Sequence, residues 1–443
     1  MTKKNQLLER KHIEKFQKNF TSETSNKVLM NAVTRGNIQD IAINRHILNN
    51  VNFCFSHEIE QSEVTAQKQA NTCWLFAGLN WFRTMTKETF KMKDFEFSAN
   101  HLVFWDKIEK ANYFLELMIE FLDRDLDDRL MNFLLKNPVP DDGEWHMIAN
   151  LVKKYGLIPK SVMPNTFNLE NSKFLNSMLY SKLRECTAII RKMHKDGKNT
   201  EQIRKKKMEF LDDFYRILSI FLGVPPEKFD WAYRDSDKNF HRERDITPVE
   251  FAGKYLPLDV DDVYILWSCP SGKTPFNKTY MIEHAAYMVG GKELKALNLP
   301  FKKLRNYAVK MLKDNKASMF GCDVLQESNT KEGLLCSDLY DYNLVFQKKF
   351  HLDKGMRIDY CQSFMNHMMV ISGVDLVNNK PTKWKIENSW GNEHGKKGYF
   401  IMCDEWFGEH AFELMVPGTY LTKEDKELFK MEPVKLPRWF PMI

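Results

Sequence analysis

The stretch Gln67 to Met85, QKQANTCWLFAGLNWFRTM, constrains this chain more than any other. From Trp74 onward apolar residues fall on almost every side of a helical wheel (Trp74, Leu75, Phe76, Ala77, Leu79, Trp81, Phe82, Met85), which predicts a helix buried all round. Such a helix needs a sizeable body packed about it. A cysteine opens it. With Cys73 in the first turn, unpaired N–H groups and the positive end of the helix dipole face the sulfur and favour thiolate over thiol. A lone cysteine in an apolar helix is ordinarily a small core residue, so its neighbours decide. Gln67 lies six positions upstream and Trp74 follows directly.

Far downstream, FMNHMMVISGVDL carries His367 in a strand-like run, and TKWKIENSWG carries Asn388 followed by Ser389, Trp390 and Gly391. Gln, five residues, Cys-Trp, then a distant His and Asn resembles the active-site pattern of papain-like cysteine peptidases. The resemblance implies that Gln67 and the Cys73 N–H form an oxyanion hole, that His367 is the acid–base group, that Asn388 holds the imidazole, and that Trp390 shields that bond from water. Cys73 and His367 are 294 positions apart (367 − 73), roughly twice the 130–150 of ordinary papain relatives, so a large insertion is expected. The phrases FEFSANHLVFWDKIEK, LLKNPVPDDGEWHM, VKKYGLIPK, KWKIENSWG, HGKKGYF and CDEWF are similar to the bleomycin hydrolase and aminopeptidase C family, and the likeness extends from near residue 25 to the end. The fold class it implies is α+β: a papain-like peptidase with a helical half, a β-sheet half, a helical insertion and an N-terminal arm.

On this reading residues 1–62 form the arm, with helices in LLERKHIEKFQKNF and IQDIAINRHIL, and 63–165 form the helical half. Residues 166–300 form the insertion, where FLNSMLYSKLRECTAIIRKM and IRKKKMEFLDDFYRILSIFL have helical spacing and Val224-Pro225-Pro226 stops the second. Residues 301–443 form the strand-rich half with the C-terminal tail in the cleft; ASMFGCDV, NLVFQKKF, HMMVISGVDL, TKWKIENS and KGYFIMCDEWF read as strands. Period-two alternation puts Trp384, Ile386 and Asn388 on one face and sends Lys383, Lys385 and Glu387 to water. The resemblance further implies a ring-shaped homohexamer with its sites facing a central channel.

With 43% hydrophobic and 28% charged residues the chain has the composition of a soluble globular protein. The charged N-terminus lacks the apolar core of a signal peptide, and no apolar run approaches the ~18–20 residues of a membrane span, so a cytoplasmic protein without membrane contact is expected. Its eight cysteines (54, 73, 186, 269, 322, 336, 361 and 403) show no metal-binding spacing. In a reducing compartment seven are expected as free thiols and one as the reagent, with no metal and no cofactor. A net charge of +6, spread over 65 basic and 59 acidic residues, signals solvation more than nucleic-acid binding, and weak salt-sensitive DNA contact is a minor alternative. A scaffold protein with a relic site would not need Gln67, Cys73, His367 and Asn388 together.

Peptides are the expected substrates. The resemblance implies that Gly143, after Asp142, pairs its backbone with an extended substrate, where a side chain would obstruct. Two departures from the family pattern stand out. Asn71 precedes the nucleophile where relatives carry glycine, placing a side chain near the cleft. The chain reads Leu436-Pro437-Arg438-Trp439-Phe440-Pro441-Met442-Ile443, without the small residues that follow Met in the family. A shorter tail is expected to open the cleft and favour endopeptidase or oligopeptidase action. The alternative is an aminopeptidase whose substrate amine is caught by the Ile443 carboxylate, Asp142 or Glu144.

Overall fold

The computed structural model describes residues 7–60, 62–350 and 352–442. The helix that begins at Cys73 runs to Phe90, and Trp74 through Arg83 are buried without a break. Trp74 and Trp81 are each about 1% exposed, and burying side chains of this kind contributes about 1.5–3 kcal/mol apiece. This helix lies between the helical layer, chiefly Ala99–Glu120 and Trp145–Tyr155, and the sheet strand His367–Val377. Ser98 caps the 99–120 helix by accepting from the His101 N–H at 3.1 Å.

The sheet is mostly antiparallel at its centre, where Ala411–Pro417, Ser318–Cys322, His367–Val377, Lys380–Glu387 and Tyr399–Cys403 lie side by side. In that register His367 is opposite Cys322, and Val370 is opposite Glu387. A two-residue strand, His57–Glu58, adds to the far part of His367–Val377. Gly373 permits it, because a Cβ there would sit 3.0 Å from the His57 carbonyl oxygen. The helices Lys173–Lys195 and Thr200–Leu222 form an antiparallel pair packed on Ala99–Glu120. Among the described residues no helix is long and apolar enough to cross a membrane.

Mixed helix and sheet in this arrangement matches the α+β expectation, with four differences. Lys385 and Glu387 do not face water: they are 0% and 2% exposed, paired with Glu58 and Arg83 respectively. The strand His57–Glu58 and the central helix cover the face that alternation assigns to solvent. The NLVFQKKF segment is not a strand; it contains the short helix Tyr342–Phe346. Residues 263–298, placed with the insertion by sequence, supply the strands Val263–Trp267, Lys278–Ile282 and Ala296–Asn298 to the main sheet. Finally, Cys336 and Cys403 are joined as a disulfide, so they are not the free thiols expected. They sit beside the parallel pairing of Leu334–Leu335 with Ile401–Met402, which holds their backbones together.

Candidate active site

The loop before the central helix is tied to the loop after Asn388 by a short ladder. The Gln67 N–H donates to the Ser389 carbonyl at 2.8 Å, the Gly391 N–H donates to the Thr65 carbonyl at 3.0 Å, and Ala66 bridges Trp390. Segments more than three hundred residues apart therefore share one register. Ser389 Oγ donates to Gln67 Oε1 at 2.6 Å, and Gln67 Nε2 donates to the Ala70 carbonyl at 2.6 Å. One amide N–H of Gln67 is spent on the loop; the other is left for an acceptor in the cleft. The left-handed residue of this loop is Lys68 (φ 55°), not Asn71.

Cys73 occupies the first helical position and is part-exposed. The Met368 backbone, one residue past His367, lies close enough to the sulfur to favour its thiolate, which puts the thiol at the edge of the histidine strand. His367 Nε2 lies 2.8 Å from Asn388 Oδ1. An amide oxygen can only accept, so Nε2 carries the hydrogen and Nδ1 keeps its lone pair. The indole of Trp390 lies over the imidazole with ring centroids 4.7 Å apart. Burial pushes the Cys73 thiol up to about 11 and His367 down to about 4. The Met368, Trp74 and Cys73 N–H groups pull the thiol back less strongly than burial raises it. The helix N-terminus alone therefore does not make the thiolate expected from sequence.

The opposite wall is the turn Asp141-Asp142-Gly143. Lys107 pairs with Asp141 at 2.6 Å, and Ser172 and Asn176 donate to the same carboxylate at 2.8 and 2.7 Å. Lys110 pairs with Asp106 at 2.9 Å and also donates to the Pro140 and Asp142 carbonyls. Trp74 Nε1 donates to the Asp141 carbonyl at 2.6 Å. A Cβ at Gly143 would lie 2.5 Å from the Trp74 ring, so glycine is demanded by the indole beneath as well as by any ligand above. Asp142 and Asn71 are exposed on the rim.

Glu144 and Glu413 of the sheet are buried side by side, and Glu144 Oε2 and Glu413 Oε1 have no other donor among the described residues, which leaves them to bond each other. Two carboxyls can bond only if one is protonated. Burial pushes Glu144 well up and raises Glu413 to about 7. A 1% exposed Glu144 is shut off from a substrate amine.

The tail is fastened to the body as far as Met442. Strand Val434–Leu436 pairs with Lys278–Ile282, the Met365 N–H donates to the Pro441 carbonyl at 3.1 Å, and Phe440 and Met442 are buried. Pro441 is thereby fixed two residues from His367 along the chain of its partner Met365. Ile443 lies outside the described residues.

The structure thus brings Gln67, Cys73, His367, Asn388 and Trp390 together, and places Asn71, Asp142 and Gly143 along one rim. Sequence reasoning missed Ser389, Asp141, Glu413 and the buried side chain of Arg438. Ser389 and Arg438 lay inside motifs already singled out; nothing local marked Glu413. Among the described residues no group of three or more His, Cys, Asp or Glu side chains is placed to hold a metal ion.

The sequence profile of the Peptidase C1-like family matches residues 7–443. Aminopeptidase C of Lactobacillus delbrueckii subsp. lactis is 38% identical over 433 residues, covering 97% of this chain and 96% of the relative. Aminopeptidase C of Listeria innocua is 38% identical, covering 97% of each chain. Aminopeptidase G of Lactobacillus delbrueckii subsp. lactis is also 38% identical, covering 96% of each. The crystal structure of PepW from Lactobacillus rhamnosis superposes with a TM-score of 0.97 at 38% identity, covering 98% of each chain.

Proposed function

The chain belongs to the Peptidase C1-like family and is a cysteine-type peptidase on a papain-like fold, and on that premise we propose that it is an aminopeptidase in which Cys73, His367, Asn388 and Gln67 carry the reaction. Isolated charge on Cys73 or on His367 is disfavoured by burial. Passing the proton from sulfur to Nδ1 creates two opposite charges side by side, each offsetting the other's desolvation. The thiolate attacks the peptide carbonyl carbon, and the oxyanion takes hydrogen bonds from the Cys73 N–H and the free N–H of Gln67. His367 returns its proton to the leaving amine, then removes one from water as that water cleaves the thioester. Asn388 keeps Nε2 occupied, so that Nδ1 stays the working nitrogen.

The expectation of internal cleavage finds no support. Its premise is an opened cleft, which the anchored tail does not supply, and the Aminopeptidase C and Aminopeptidase G relatives carry the exopeptidase activity in their names. That naming, shared by relatives aligned over nearly the full length of each chain, is the observation that favours exopeptidase action. Asp142, exposed on the rim next to Gly143, is the carboxylate proposed to receive the substrate's α-amine, while the Gly143 backbone holds the chain. A fluorogenic peptide tested with a free and with an acetylated N-terminus decides the matter. We expect at least a tenfold preference for the free amine, and equal turnover of both would overturn the exopeptidase reading.

Assembly into a ring of subunits is part of the same proposal. The helix Arg10–Ser22 buries none of its residues, and Ile13, Phe16 and Phe20 are exposed along it, as a helix awaiting a neighbouring subunit would be.

A further inference from the structure

A cavity of about 400 Å³ lies against the turn Asp141-Asp142, with Asn71 and Asp142 on its rim. Its walls include the rings of Tyr113, Phe133 and Tyr287, and Arg438 enters it from the C-terminal strap. The charges about this cavity are unequally satisfied. Asp141 is bound by Lys107, Ser172 and Asn176, and Lys110 by Asp106 and two carbonyls. Arg438 has no ion pair and no hydrogen bond to any described residue, although it is only 5% exposed. Its guanidinium lies 5.3 Å from the centre of the Phe133 ring and 5.0 Å from that of Tyr287. Rings of this kind stabilise a cation through their faces but cannot accept its five N–H donors.

Its guanidinium nitrogens reach the open cavity, so a bound anion can replace water on them with charge-assisted hydrogen bonds. Asp142 is near enough to exert an attraction on Arg438, yet the two form no ion pair. Among the described residues the pocket therefore presents one cation inside and one carboxylate at its mouth that have no partner. We propose that Arg438 makes this cavity a subsite for an acidic side chain, so that the enzyme favours peptides whose N-terminal residue is glutamate or aspartate. The α-amine of that residue meets Asp142, its carboxylate meets Arg438, and its carbonyl carbon faces Cys73. Planar, bidentate pairing of guanidinium with carboxylate gives the site its selectivity over an amide of the same shape. This rests on the aminopeptidase reading above and names its substrate class.

The test compares kcat/KM for fluorogenic substrates that begin with glutamate, glutamine, leucine or lysine. Wild-type enzyme is expected to favour glutamate over glutamine by about 10- to 100-fold. In Arg438→Met that ratio is expected to fall to about one, and Arg438→Lys, which keeps the charge, should lie between. The ratio is taken within each variant, so an overall loss of activity does not disturb it. A wild-type ratio at or below one overturns the inference, as does a ratio that persists in Arg438→Met. Binding of Glu-Ala-Ala and Gln-Ala-Ala to Cys73→Ala, followed by calorimetry, gives the same comparison without turnover. Should acetylated and free substrates react alike while glutamate is still preferred, the exopeptidase reading fails and the subsite stands. Should free amines be preferred without regard to glutamate, the subsite alone fails.

Discussion

The two walls of the cleft bury polar groups in opposite ways. On the helical wall the charges come in matched sets: Lys107 with Asp141, and Lys110 with Asp106. Burial works against charge there too, raising Asp106 and lowering Lys110, yet Asp141 stays below its ordinary range because Lys107, Ser172 and Asn176 all bind its carboxylate. On the sheet wall His367 is held by a neutral amide, and Glu413 by another carboxyl and the Trp267 N–H. Without counter-charges, burial moves both groups toward neutrality. The contrast divides the labour. Asp141, kept charged by its three partners, holds the turn Asp141-Asp142-Gly143 in place, while His367 and Glu413 can gain or lose a proton during a reaction.

Substitutions on either wall should therefore fail in different measurements. Cys73→Ala is expected to lower kcat/KM by about 10⁴-fold or more while leaving the thermal unfolding curve in place; substantial residual hydrolysis would sink the nucleophile assignment. Next in size is Asp141→Asn on the helical wall. It leaves Lys107 without its counter-charge and should cost about 3–5 kcal/mol in urea unfolding. Loss of activity with unchanged stability would contradict the scaffold role. Gln67→Ala should reduce kcat about 10²–10³-fold, with KM affected much less. A pure KM effect would move Gln67 from the oxyanion hole to ground-state binding. The smallest effect is one of pH. Because Glu413 is raised from 4.5 to about 7 on folding, the folded state holds its proton more tightly. Its contribution to stability is complete below pH 4.5 and is lost as the pH rises through 7. Glu413→Gln should flatten that fall, as read from the urea midpoint across the range. An identical slope in the variant would show that the pair does not titrate there.

The clustering of Cys73, His367, Gln67 and Asn388 was legible because its members are announced locally: a cysteine opening an apolar helix, a histidine in a β-branched run, an Asn-Ser-Trp-Gly turn. What escaped the sequence depends on partners distant along the chain. Alternation correctly placed Trp384, Ile386 and Asn388, but nothing near Lys385 or Glu387 tells that Glu58 and Arg83 arrive to bury them. Likewise the bond between Cys336 and Cys403 spans 67 positions with no motif at either end. NLVFQKKF has strand propensity, yet tertiary context turns Tyr342–Phe346 into a helix.

The separation of thiol from imidazole has a consequence for how the enzyme is made. At about 5–20 residues per second, a ribosome needs roughly 15–60 s to travel the 294 positions from Cys73 to His367. Throughout that interval the nascent polypeptide carries its sulfur and no base to activate it. The growing molecule is thus harmless to itself and to neighbouring chains, and it gains the power to cut after most of its translation is complete.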